Sequence, residues 1–160
     1  LSGRYIDTTA KNFSRTMDIS CFSFTAVAKA AYPLMVDHGG SMITLTYYGA
    51  ERVLPNYNVM GVAKAALEAS VRYLATDLGP DNIRVNGLSA GPMRTLAGSA
   101  IGSARKIYNT SEANSPLRKS VTLDQIGNTA LYLLSESSSG VTGEIHHVDS
   151  GYNIIGMPYL

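Results

Sequence analysis

A chain of 160 residues that is 45% hydrophobic and carries a formal net charge of +1 suits one globular domain, and it offers no basic surface for tracking phosphates, so nucleic-acid binding is not expected. No apolar run approaches the ~20 residues of a membrane helix, and the single cysteine, Cys21, permits neither an internal disulfide nor a thiolate metal cluster and suits a reducing compartment. Charged residues make up only 16%, against ~25% in an average soluble domain, which predicts that other subunits or further polypeptide cover much of the surface.

The opening "LSGRYIDTTAKNFSRTMDIS" shows no initiator methionine, no signal-peptide layout and no first strand, and reads as the middle of a domain. Residues 18–37 carry Ile19, Phe22, Ala26, Val27 and Ala30 at helical intervals. Asp18 is the expected N-cap, His38-Gly39-Gly40 the stop, and Pro33 should kink or shorten the last turns. "SMITLTY" (41–47) is apolar and β-branched, the pattern of a buried strand. A helix is predicted over 57–78, with Val59, Val62, Ala63, Ala66, Leu67, Ser70, Val71, Leu74 and Leu78 on its apolar stripe and Gly79-Pro80 ending it.

"NIRVNGLSAG" (82–91) reads as a strand running into a Gly-Pro loop, and 92–120 as a loop with one or two short helices. Thr122-Leu123-Asp124-Gln125 is a capping box opening a helix that stops before Ser137, and "TGEIHHVDSG" supplies a last strand. Strands alternating with helices give the fold class: α/β, the C-terminal half of a doubly wound parallel Rossmann-type sheet, three strands with flanking helices. No Gly-rich phosphate turn stands between a strand and a helix, so the N-terminal nucleotide-binding half of such a domain has no counterpart in 1–160. His146 and His147 are neighbours on a strand and point to opposite faces, so no metal site is expected.

Tyr57 and Lys64 lie seven residues apart, which on one helix is nearly two turns along almost one face. Tyr47 ends the preceding strand, whose carboxyl end is where open α/β sheets bind ligands. A nearby ammonium is expected to lower the phenol's pKa, and the pair could polarise a carbonyl oxygen as negative charge develops on it.

"YGAERVLPNYNVMGVAKAALEASVRYLATDLG", "IRVNGLSAGPMRTLA" and "GEIHHVDSGY" together resemble the NADH-dependent enoyl-acyl-carrier-protein reductases of type II fatty acid synthesis, in the short-chain dehydrogenase/reductase superfamily. Most of that superfamily has Tyr-x3-Lys. The enoyl reductases have Tyr-x6-Lys with a second tyrosine ten residues upstream, which Tyr47, Tyr57 and Lys64 match. The likeness runs along the whole chain.

The resemblance implies that Tyr57 donates a hydrogen bond to the thioester carbonyl of a trans-2-enoyl chain, that Lys64 holds the nicotinamide ribose of NADH, and that Tyr47 lines the pocket and shares in catalysis. It further implies cofactor contacts from Leu45, Thr46, Ala90, Gly91, Pro92, Met93 and Thr95, and substrate contacts from Met60 and Ile101. A substrate-binding loop would cover about 96–120. The implied partners are an enoyl chain on acyl carrier protein, the missing N-terminal segment and three further copies in a homotetramer. The implied compartment is a bacterial cytoplasm, with a plastid-like organelle as alternative. Two other functions stay open: a 3-oxoacyl or other carbonyl reductase of the same superfamily, and a non-catalytic half-domain that keeps only the oligomer interfaces.

Overall fold

The computed structural model describes residues 4–93 and 104–157. Three parallel strands, β1 (Gly40–Thr46), β2 (Ile83–Ala90) and β3 (Ile145–Val148), form one sheet in the order β1-β2-β3. Five α-helices accompany them among the described residues: α1 (Ala10–Met17), α2 (Ser23–Met35), α3 (Val59–Leu78), α4 (Ala104–Asn114) and α5 (Leu123–Leu134).

The pleat sorts side chains to two faces. On one, Met42, Ile83 and Val85 meet Ala28 of α2 and Val71 and Ala75 of α3. On the other, Leu88 packs with Val121, Ile126 and Leu133 around α5. Helices cover both faces, as the continuous apolar strands predict. The capping box is present in both directions: the Gln125 backbone N–H donates to Thr122 Oγ1 at 3.2 Å, and the Thr122 N–H donates to Gln125 Oε1 at 3.0 Å.

The first helical segment differs from expectation. Asp18 is not an N-cap. Its backbone is helical (φ −60°, ψ −48°), and the helix begins eight residues earlier at Ala10, where Thr9 accepts from the Asn12 N–H. Residues Asp18–Phe22 form a π turn linking α1 to α2. The extra residue in that turn rephases the helix. Ile19 (62% exposed), Phe22 (60%) and Val27 (62%) therefore face outward, while Cys21 and Ala28 turn in. Pro33 lies inside α2, which ends two residues later at Met35.

Candidate active site

The site is built at the carboxyl end of β1, where Tyr47 follows the strand directly. Tyr57 does not lie on α3. Asn56 (φ 65°) and Asn58 (φ 48°) hold positive-φ backbone on either side of it, so it sits in the turn and the helix starts at Val59. Asparagine tolerates this conformation better than other residues with a side chain. The turn brings the two phenol rings into an edge-to-face pair, centroids 5.4 Å apart at 75°.

Two glycines allow that packing. A Cβ on Gly49 would lie 2.4 Å from the Tyr57 ring, and one on Gly61 would lie 2.8 Å from the Gly49 carbonyl oxygen. The start of α3 is thereby pressed against the 3-10 turn Tyr48–Ala50.

Lys64, half-buried on the second turn of α3, donates from Nζ to the Leu45 carbonyl at 2.8 Å. One turn on, the buried Glu68 accepts from Thr46 Oγ1 at 2.6 Å. The helix thus grips the last two residues of β1 at adjacent positions. An ammonium has three donors, so the bond to Leu45 holds Lys64 in place and leaves N–H groups for a ligand hydroxyl. Sequence reading passed over Glu68, although the helical period sets it in phase with Lys64 and Val71 on the face toward the sheet.

Electrostatics differ from expectation. Burial pushes the Tyr57 phenol well above its ordinary value, with Tyr47 adding to the shift. Burial, with the Tyr152 and Tyr108 phenols, pushes Tyr47 up to about 12. Burial also pulls the Lys64 ammonium down, against an upward pull from Glu68. Lys64 does not lower Tyr57: its charge is directed to the Leu45 carbonyl, and desolvation decides the phenol. Both tyrosines are neutral donors at ordinary pH.

Burial raises the Glu68 carboxyl above its usual 4.5, and the Thr46 hydroxyl opposes that by bonding the anion. The stability contributed by an acid with a raised folded pKa is complete below the unfolded value and is lost as pH rises through the folded value. Thr46→Val removes the bond that favours the anion and so deepens the loss. We expect the variant to be nearly as stable as the parent at pH 4 and about 1–2 kcal/mol less stable at pH 8, by urea denaturation. Equal losses at both pH values would contradict the assignment.

Leu45 (53% exposed) points to the opposite face from Thr46 (4%), whose hydroxyl is taken by Glu68. Ala90 ends β2, and Gly91 follows against Asp149, whose Cα would lie 2.9 Å from an added Cβ. Pro92 and Met93 continue from there as half-buried residues. Met60 occupies the first turn of α3 beside Tyr57, and its N–H donates to the Tyr57 carbonyl. Thr95 and Ile101 lie outside the described residues, as does part of the loop expected over 96–120. Among the described residues, no three His, Cys, Asp or Glu side chains gather to hold a metal ion, and no helix is long and apolar enough to cross a membrane.

A parallel sheet with helices on both faces and a tyrosine pair and lysine at its carboxyl edge is a Rossmann-type α/β arrangement. The family model described as enoyl-(acyl carrier protein) reductase matches residues 1–153. The chain belongs to that family. It is 66% identical over 157 residues to enoyl-[acyl-carrier-protein] reductase [NADH] 1 of Rhizobium meliloti, covering 98% of this chain and 57% of that protein.

The crystal structure of the reductase from Anaplasma phagocytophilum in complex with NAD superposes with a TM-score of 0.93 at 58% identity, over 99% of this chain and 60% of that one. The Bacillus cereus enoyl-acyl carrier protein reductase, solved with NADP+ and an indole naphthyridinone, gives 0.94 at 52% identity, over 98% and 60%. The chain therefore spans about three-fifths of the length of these relatives.

Proposed function

We propose that this chain forms the nicotinamide- and substrate-facing part of an enoyl-thioester reductase in fatty acid elongation. The observation that carries the reading is the Tyr57 ring paired with Tyr47 at the carboxyl end of β1, where Lys64 is anchored to Leu45. The residues fit the nicotinamide end of a dinucleotide: Lys64 offers donors to ribose hydroxyls, and Ala90, Gly91, Pro92 and Met93 lead away from the end of β2. NADH, the cofactor in the name of the Rhizobium relative, supplies the hydride when bound.

Tyr57 donates its O–H to the thioester carbonyl and stabilises the negative charge that gathers on that oxygen as the β-carbon is reduced. Lys64 orients the ribose and, tied to Leu45, does not swing away from it. Tyr47 supports the Tyr57 ring edge-on and closes the pocket. Leu45 and the Thr46 backbone border the cofactor, Thr95 completes its contacts, Met60 and Ile101 line the acyl pocket, and a substrate-binding loop at about 96–120 belongs to the same pocket. The substrate is an enoyl chain carried by acyl carrier protein.

The adenosine end of the cofactor requires a nucleotide-binding half, whose strand would pair with the free edge of β1. A homotetramer is the proposed assembly. Supporting it, Ile19, Phe22, Val27, Leu34 and Tyr73 expose apolar surface along the π turn, α2 and α3. A bacterial cytoplasm is the proposed compartment, after the bacterial relatives.

The test is a paired assay of NADH consumption, with the nucleotide-binding half supplied, on trans-2-enoyl and 3-oxoacyl thioesters of equal length. Enoyl turnover in excess supports the reading. Preference for the 3-oxoacyl substrate assigns a carbonyl reductase, and failure to bind NADH leaves an assembly module.

A further inference from the structure

The loop from Tyr47 to Asn58 carries Tyr47 and Tyr57 but only a single 3-10 turn, Tyr48–Ala50. A segment with so little backbone regularity needs side chains to fix its shape. Beyond the Tyr47–Tyr57 contact, two ties run from it to the carboxyl-terminal segment. His147 Nε2 lies 2.6 Å from Glu51 Oε1, with the two side chains only 24% and 33% exposed. The Tyr48 and Tyr152 rings meet edge-to-face, centroids 5.8 Å apart. Both ties reach past β2, which separates β1 from β3.

Register explains how they reach. Thr46 pairs with Ser89, and Ser89 with His147, so the three side chains form one row across the sheet on the α3 side. Glu68 anchors one end of that row through Thr46, and Glu51 anchors the other through His147.

Resting on the reductase reading, we infer that Glu51 and His147 are positioning residues that hold the loop, and with it the Tyr47–Tyr57 pair, in its working geometry. Neither touches the reacting atoms in this scheme. The proximity of Tyr152 to the Tyr47 phenol, which helps keep that group un-ionised, agrees with the same closure.

The test uses the full polypeptide carrying these residues. Glu51→Ala and His147→Ala should each lower kcat about tenfold, because a small displacement of an acting group is costly, while KM for NADH stays within about twofold. The double variant should lose no more than either single one. Glu51→Gln, which keeps a hydrogen-bonding oxygen, should restore most of the turnover. A second readout does not need activity: nitration by tetranitromethane at pH 8, located by peptide mass. Release of the loop hydrates Tyr47, and each unit fall in its pKa raises the tyrosinate fraction about tenfold, so Tyr47 should be nitrated correspondingly faster in Glu51→Ala.

Parental kcat together with parental nitration in Glu51→Ala overturns the inference, as does an equal rise in KM for NADH and fall in kcat. If the parent itself reduces no enoyl thioester yet Tyr47 nitration accelerates in the variant, the positioning role stands and the reductase reading falls.

Discussion

Tyr57→Phe should lower enoyl-thioester turnover about 100-fold and leave NADH affinity unchanged. The substitution keeps the ring, its burial and its edge-on contact with Tyr47, and removes only the O–H that the proposed scheme directs at the substrate oxygen. In the proposed scheme ribose binding falls to Lys64, which the Leu45 carbonyl holds independently of the phenol. Tyr47→Phe should cost far less, because its ring does the supporting. Burial that pushes the Tyr57 phenol upward also predicts how it titrates. The donor must be neutral, and it should stay so through pH 10, where an ordinary phenol is half ionised. The tyrosinate ultraviolet absorbance of parent and Tyr57→Phe, compared as pH rises, checks this without relying on turnover, which the burial-lowered Lys64 ammonium also governs, and a Tyr57 ionisation centred near 10 would contradict it.

Arg84→Ala should produce the largest loss of stability. Arg84 Nη1 donates to the Leu133 carbonyl and Ser138 Oγ, both at 2.9 Å, and to the Val141 carbonyl at 3.3 Å, while Nη2 donates to the Ser135 carbonyl at 3.0 Å. One guanidinium on β2 therefore closes the carboxyl end of α5 and ties the segment leading to β3, at the helix end where positive charge is favoured. Removing it leaves several part-buried acceptors short of donors, and we expect a loss of about 3 kcal/mol. Arg84→Lys should recover little, since a single ammonium cannot span the fork. Urea denaturation of parent and variants decides, and a loss below about 1 kcal/mol would show that water replaces these bonds readily.

Much of this architecture could be read from sequence because its signals are local. The Thr122–Gln125 capping box, the β-branched run in β1 and the Gly79-Pro80 stop each declare themselves within a few residues, and the structure has them in place. The Tyr47, Tyr57 and Lys64 spacing was equally visible. How the spacing works was not. Two asparagines with positive φ set Tyr57 off the helix, a backbone choice that side-chain periodicity does not register.

Asp18 resembled a cap because an aspartate before an apolar run is the usual signature. The π turn that absorbs it depends on packing against α3, where Cys21 lies 3.7 Å from Ser70. Glu68 was hidden within an apolar stripe, and its partner Thr46 lies on another element. The Glu51–His147 tie joins residues 96 apart, and only the sheet register brings them together.

The most direct test of the central claim follows the hydride. The polypeptide, with its nucleotide-binding half present, would be given NADH deuterated at the transferred position of the nicotinamide C4 and a trans-2-enoyl thioester, and the product examined by mass spectrometry and deuterium NMR. The account predicts a saturated acyl thioester with one deuterium on its β-carbon. An unreduced carbon–carbon double bond, or deuterium at a carbinol carbon from a 3-oxoacyl substrate offered in competition, would contradict it.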